Sequence, residues 1–456
     1  MRNRYLYITL LSILGFNAET YAQAVAQAPQ LVVSISIDQL RTDQLETYAP
    51  LYTSDGLKRL LTEGLLFPHA AYPFQPVDRA SAVASLTTGS TPYYNSIIGC
   101  EWLDRNTLRP VSILHDEHYK HSPHQLAVST IGDELKIATE GAASVYSFAW
   151  QAENAILSAG HAANGAAWIS NGKWEVTNYY TPTDTWLASY RRQHAPNADA
   201  NQSVTEIALK CTEQMGLGLD NKPDLLFVGY SVTPTQDGYL ALDRTVAKLL
   251  NGITQQIPME RVLFVLTGTE VREEEERQDE KYRVPTGNFN INRTANLLNL
   301  YLGAVYGSAR YIEACYHNQI FLSHKLIEKK NINRDDVLRR AQEFLLQLEG
   351  VRNVYTAHQL LTSDSQRLER IRNGFNIEKC GDLLVDIAPG WKLTHEDSRQ
   401  STTSRANFIP IPVIFLGAGI QPQRISEPVT IDRIAPTIAR TIHIRAPNAC
   451  SAEPLF

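Results

Sequence analysis

Apolar positions fall along this chain in short unbroken blocks, each followed by a stretch with helical spacing. The first block, Leu31 to Ile37, is almost wholly β-branched or apolar and ends on a bare carboxylate, Asp38. A run that is apolar on both faces predicts a strand buried on both sides, as inside a parallel sheet. Asp224–Gly229, Arg261–Thr267 and Pro412–Gly417 repeat the pattern. Leu57, Leu60, Leu61 and Leu65 follow the first block at helical intervals. Leu240, Leu242, Val246, Leu249 and Leu250 do the same within Gln236–Asn251, and Ile431–Ile442 reads as a closing helix. This alternation predicts an α/β fold with a doubly wound, mostly parallel sheet. Ligands of such sheets lie beyond the carboxyl ends of the strands, which places Asp38 as a metal ligand or a base. A helix cap or an Asx turn is the structural alternative for the same residue.

The texture changes around 271–400, which is read as an inserted cap segment. It opens on a charge run, residues 272–281, that suits a solvated face. Val337–Leu348 is amphipathic, and Asp335-Asp336 before it reads as a helix start. Residues 1–22 read as a signal peptide, with Arg2 and Arg4 before the short apolar run Tyr5–Phe16 and small residues around Ala22. That run is too short to span a bilayer. A periplasmic or secreted location is therefore expected for residues 23–456, with no membrane span. The net charge of −6 offers no basic face to nucleic acid. Cys100, Cys211, Cys315, Cys380 and Cys450 are odd in number and widely spaced, with no C-x-x-C pair. One or two bridges would be compatible with an oxidising compartment.

Several ordered motifs add to this picture. After Asp38-Gln39-Leu40-Arg41 come Thr88-Gly89-Ser90-Thr91-Pro92, Ile97-Ile98-Gly99 and Val128 to Lys136. Ala159-Gly160-His161, Tyr239 to Arg244, Asn318-Gln319-Ile320 and Ala435 to Ala439 come after them. In these the chain resembles the type I phosphodiesterase/nucleotide pyrophosphatase branch of the alkaline phosphatase superfamily, and most closely its exported bacterial monoesterases. The resemblance covers nearly all of 23–456. It implies an alkaline-phosphatase-like fold and a chemistry in which two zinc ions, held by Asp and His, activate a Thr or Ser nucleophile.

The residues that would carry that chemistry are mostly replaced. Asp38 matches the first metal carboxylate and is the only family ligand left. The nucleophile position falls on Arg79, in Arg79-Ala80-Ser81-Ala82-Val83; a shifted register would offer Ser81. The Asp-x-x-x-His pair should come after Phe227, where the chain has a shortened Ser231 to Gln236 with Pro234. The next Asp-His pair falls on Thr269 and Glu270, and the last metal His on Pro410. The phosphate-holding Lys and Arg fall on Gln151 and Glu153, and the neighbouring Asn on Cys100.

One carboxylate cannot hold two zinc ions, and the lost groups carry essentially all of the transition-state stabilisation. The resemblance therefore implies an inactive pseudo-phosphatase with no cofactor, acting by binding or scaffolding an envelope protein or a small ligand. The alternative is a phosphate mono- or diester hydrolase with a rewired zinc site, and a third reading is a structural envelope protein with a vestigial cleft. Asp38 without its metals needs a cation, so Arg79 is expected to pair with it, with Glu270 as a second acceptor.

Three further features stand out. His115, Asp116, Glu117, His118, His121 and His124 form the densest metal-capable cluster, in a loop without a standard zinc spacing. His161 suits a loop hydrogen bond. Trp168, Trp174, Tyr179, Tyr180, Trp186 and Tyr190 suit either a packed cap or a sugar-stacking surface. No Gly-rich phosphate loop, Gly-x-Ser-x-Gly elbow or His-Glu-x-x-His is present.

Overall fold

In the computed structural model, Leu31–Asp38 is the central strand of a large sheet and every one of its residues is buried. The structure describes residues 28–180, 185–271, 285–395, 402–403 and 409–456. The signal-peptide reading of 1–22 and the charge run 272–281 lie outside the described residues. The main strands are β1 (Leu31–Asp38), β2 (Leu65–Ala71), β3 (Val145–Ala149), β4 (Gly165–Ser170), β5 (Lys173–Val176), β6 (Asp224–Ser231), β7 (Val262–Gly268), β8 (Ile411–Gly417) and β9 (Gln423–Arg424). Their spatial order is β9-β2-β8-β7-β1-β6-β3-β4-β5, with Val429–Thr430 also pairing with β2. β7, β1, β6, β3 and β4 run parallel. β8 lies antiparallel on β7, and β2 antiparallel on β8. The mostly parallel α/β sheet read from the apolar blocks is the one that forms.

The register of these strands sets where Asp38 stands. Asp38 pairs with Ser231 at the end of β6, and Ile37 with Gly268 at the end of β7. Three strands thus deliver their carboxyl ends side by side, with Asp38 in the middle. Gln39 then takes a left-handed backbone (φ 69°), which ends the strand just after the carboxylate. Its N–H donates to the Glu270 carbonyl at 2.8 Å.

Two local readings change. Leu65 opens β2 instead of extending the helix Leu57–Glu63. Gly64 makes the turn, where a Cβ would sit 2.5 Å from the Leu60 carbonyl oxygen. Asp38 does not cap the next helix, since Arg41 precedes Thr42–Thr47 without a side-chain cap. All five cysteines are unbridged.

Between β7 and β8 the chain builds a smaller sheet of Ile312–Tyr316, Gln319–Leu322, Leu383–Ile387 and Val351–Thr356. It has its own apolar core, in which Leu298, Leu302, Val337, Leu345 and Val385 are fully buried. Asn333 caps the helix Arg334–Leu345, and Asp335 and Asp336 sit in its first turn. The aromatic stretch packs inward: Trp168, Trp174 and Tyr180 are buried, and Trp186 packs edge-on to Tyr146 and Phe148. That removes the open stacking surface. Among the described residues no helix is long and apolar enough to cross a membrane.

Candidate functional site

Two helices, α1 (Arg79–Thr88) and α3 (Ala152–Ala159), position groups around Asp38, and α2 (Ile131–Ala138) packs beside α1. Small residues dominate α1, so it can lie deep between the sheet and α3, and all but its first residue are buried. Its start is fixed by a capping box: Asp78 Oδ1 accepts from Ser81 N at 2.9 Å, and Ser81 Oγ accepts from Asp78 N at 3.0 Å. The Ser81 hydroxyl is fully buried and committed to this cap, which removes it as a substitute nucleophile. Asp78 Oδ2 also accepts from Cys100 N at 2.6 Å, tying Cys100 to the same corner.

Arg79 is the first residue of that helix, and Asp38 lies within its reach. Its Nε donates to Asp38 Oδ2 at 2.6 Å, with side-chain exposures of 13% and 1%. The Thr269 hydroxyl donates to Asp38 Oδ1 in a short hydrogen bond. Both carboxylate oxygens are therefore taken. Arg79 Nη1 lies 3.8 Å from Glu153 Oε2, and the guanidinium stands 4.9 Å over the Trp150 ring. Burial works against the guanidinium's charge, but the Asp38 carboxylate outweighs it and holds the group above its ordinary value.

The expected pair is present, with one correction. The second carboxylate at Arg79 is Glu153, not Glu270. α3 carries Glu153 into the space, whereas Glu270 is fixed beside Gln39 through its backbone. Trp150, the platform under the guanidinium, has no signal in the sequence beyond adjoining Gln151 at the start of α3.

The remaining candidates each have a structural role. Thr269 is 2% exposed and bound to Asp38, and its N–H meets the Ile37 carbonyl. The Ser231–Gln236 link is a tight turn into the helix Gln236–Thr254, with the Thr235 hydroxyl as its cap and Val232 buried. Pro410 presents only its carbonyl, to Thr42 N at 3.1 Å. Burial, reinforced by the Asp78 and Glu153 carboxylates, pushes the Cys100 thiol far above its usual range, so it stays protonated. Tyr72, fully buried with its hydroxyl on the Gly268 carbonyl, is pushed well up by burial and by Asp38.

The donor set does not fit two zinc ions. The single family carboxylate is already bonded to a guanidinium and a hydroxyl. No three His, Cys, Asp or Glu side chains among the described residues are grouped to hold a metal. In the histidine loop, Asp116 is drawn down to about 2, chiefly by the Ser122 hydroxyl and then by the His118 and Tyr119 N–H groups. His121 stacks edge-on to Trp168. The loop is a hydrogen-bonded hairpin in which Asp116 accepts from the Ser122 hydroxyl and the His118 and Tyr119 N–H groups.

His161 is a structural clasp. Nδ1 lies 2.9 Å from Asp133 Oδ2 on α2, and Nε2 lies 3.0 Å from the Leu126 carbonyl. Two acceptors favour the doubly protonated ring, and the Asp133 hydrogen bond, against burial, raises its pKa. A raised value in the folded state means stability that is complete below about pH 6.5 and fades as pH climbs through the folded value. His161→Gln should therefore cost about 1–2 kcal/mol near pH 6 and less by about pH 9. Urea titrations of both proteins across that range check it, and a constant difference would contradict the clasp.

The type I phosphodiesterase / nucleotide pyrophosphatase family model matches residues 32–408. The chain belongs to this family. It is 25% identical to alkaline phosphatase PhoV of Synechococcus elongatus, over 94% of this chain and 92% of that protein. It is 23% identical to alkaline phosphatase PafA of Elizabethkingia meningoseptica, over 94% of each. A Myroides odoratus protein named as a calcium-transporting ATPase is 25% identical over 96% of each. These alignments run over 514 to 530 residues, more than the 456 here, so this chain is shorter within the aligned region. The wild-type PafA structure superimposes with a TM-score of 0.82 at 22% identity, covering 94% of this chain and 98% of that one. Murine ectonucleotide pyrophosphatase/phosphodiesterase 5 gives 0.56 at 11% identity, covering 91% of this chain and 95% of its own. The shared fold is an alkaline-phosphatase-like one.

Proposed function

We propose that this protein is an exported, catalytically inactive relative of the alkaline phosphatases that acts by binding or scaffolding and needs no zinc. The observation that carries this reading is the Arg79–Asp38 pair at 2.6 Å. A guanidinium stands where the resemblance puts a nucleophile, and it neutralises the carboxylate that would hold the metal. The phosphate clamp is reversed as well. Gln151 and Glu153 occupy the positions expected for Lys and Arg, so a phosphate monoanion or dianion entering here meets a neutral amide and a carboxylate in place of two cations. Export rests on the leader-like residues 1–22.

The second reading, a metal-dependent phosphate ester hydrolase with a rewired site, draws on the alkaline phosphatases among the relatives. Purified protein separates the two. We expect well under about one zinc per chain after gel filtration in zinc-containing buffer. We also expect no turnover of an aryl phosphate monoester or diester above background. Stoichiometric zinc together with turnover abolished by Asp38→Ala would overturn the proposal.

A further inference from the structure

The helix Ile291–Tyr306 in the inserted segment carries apolar residues on two faces. Ile291, Ala295, Leu298 and Leu302 form the inner one and are buried in that segment's core. Leu297, Leu300, Tyr301 and Ala304 recur at helical spacing and form the second. Leu297 and Leu300 are 43% and 70% exposed, and Leu300 is the most exposed large apolar side chain among the described residues. No charged residue occurs from Thr294 to Ala309. The outward face of a helix in water is ordinarily charged and polar, so this one is built to be covered.

Its surroundings have the layout of a protein contact. Tyr301 stacks on Phe344 of the neighbouring helix Arg334–Leu345, with ring centroids 4.8 Å apart, which widens the apolar strip. The charges of that neighbour are paired among themselves, Asp336 with Arg339 and Arg340, and Arg339 with Glu343. An uncharged centre beside a polar rim is the arrangement that interfaces show. Gly303 lies one turn beyond Leu300, and a Cβ there would meet nothing closer than 3.9 Å. The fold itself therefore has no need of a glycine inside this helix, whereas a second backbone coming close to it does.

Charge, symmetry and size select a second copy of the chain as the cover. Residues 272–281, close by in sequence, are all charged except Gln278 and supply nothing apolar. An uncharged strip offers an acidic or basic partner nothing to select. The chain has a net charge of −6, yet none of it falls between Thr294 and Ala309, so two copies meet there without repulsion at the contact. A two-fold axis at Leu300, near the middle of the strip, lays Leu297, Leu300 and Ala304 against the same residues of the other copy. The helix of 16 residues is about 24 Å long and its neighbour packs roughly 8–10 Å to the side, so their joint outer face covers roughly 400–500 Å². A standard interface takes about 800 Å² from each partner, so a dimer through this face is weak and reversible.

We propose that this protein forms a two-fold dimer through the outer face of the helix Ile291–Tyr306, with Leu300 packed against its own copy. The contact is independent of whether the Arg79 centre is active. Sedimentation velocity of the purified protein tests it, and a monomer–dimer equilibrium with a midpoint of roughly 1–100 μM is expected. Leu300→Glu sets like charges against each other at the axis and should raise that midpoint at least about tenfold. Ala304→Glu, on the same strip, should act alike. Both side chains are exposed, so an unchanged unfolding midpoint will show that the fold is retained. Ile137→Glu alters an apolar residue of α2 that is 61% exposed and should leave the association as it was. Monomer at every concentration overturns the proposal and leaves the strip to a different protein. So does a dimer that neither strip variant weakens, or equal weakening by Ile137→Glu, which would mark general apolar adhesion.

Discussion

Replacing Arg79 with threonine should lower the unfolding free energy by ~3–5 kcal/mol and, on the proposed reading, should produce no turnover of phosphate esters. Asp38 is 1% exposed and keeps one hydroxyl partner, Thr269, once the guanidinium is gone. A buried carboxylate left that way bears the full cost of its desolvation. Glu153 also loses its nearest cation, at 3.8 Å, and the Trp150 face loses its guanidinium. On that reading no turnover appears, because the change restores a hydroxyl but none of the Asp and His ligands that the family resemblance calls for. Urea denaturation measures the loss, and pairing the change with Asp38→Asn should recover part of it, since the orphaned charge is then removed. A single-variant cost below about 1 kcal/mol would show that the pair does not hold this corner of the fold.

Asp382→Ala should be comparably severe, at ~3–5 kcal/mol. The residue is fully buried just before the strand Leu383–Ile387 and accepts four hydrogen bonds. Oδ1 takes His324 Nε2 at 2.7 Å and Arg334 Nη2 at 2.9 Å. Oδ2 takes Leu322 N at 2.8 Å and Arg105 Nη1 at 3.1 Å. Arg105 belongs to the hairpin of Glu101–Asp104 and Arg109–Ser112, which begins directly after Cys100. The carboxylate thereby fastens the inserted segment to the chain that leaves the Arg79 corner. Burial alone would raise its pKa, but His324, Arg105 and the Leu322 N–H outweigh it and hold it well below the usual carboxylate range. A depressed folded value gives stability that is present above about pH 4 and disappears as pH falls through the folded value. The variant should therefore lose stability at neutral pH and approach the parent only in strong acid. Equal urea midpoints at pH 7 would refute the fastening. Arg105→Ala, which removes a quarter-exposed partner, should cost less, about 1 kcal/mol.

These two carboxylates differ in how far the sequence announces them. That Arg79 would meet Asp38 was legible, because the motif order sets both on one fold and a lone buried carboxylate demands a cation. The second carboxylate was not. Glu270 is next to Thr269 in sequence, yet Gln39 holds its backbone, while Glu153 arrives on a separate helix. Asp382 carried no signal at all, being one acidic residue in a Cys-Gly-Asp turn.

The apolar blocks by themselves determined the layering and the strand that ends on Asp38, because a run greasy on both faces must be covered on both sides; they did not fix direction, since β8 carries the same pattern and lies antiparallel. They did not reveal β2 or β4, where Pro, His, Ala and Gly interrupt the pattern and only pairing with neighbouring strands makes the backbone extended. The motif replacements carried the expectation that a two-metal donor set is missing. That Glu153 and the Trp150 ring complete the surroundings of Arg79 was decided by the tertiary structure alone. Charge interactions act over a few ångströms of space, and distance in space between residues far apart in the chain is set by packing, which no linear pattern encodes.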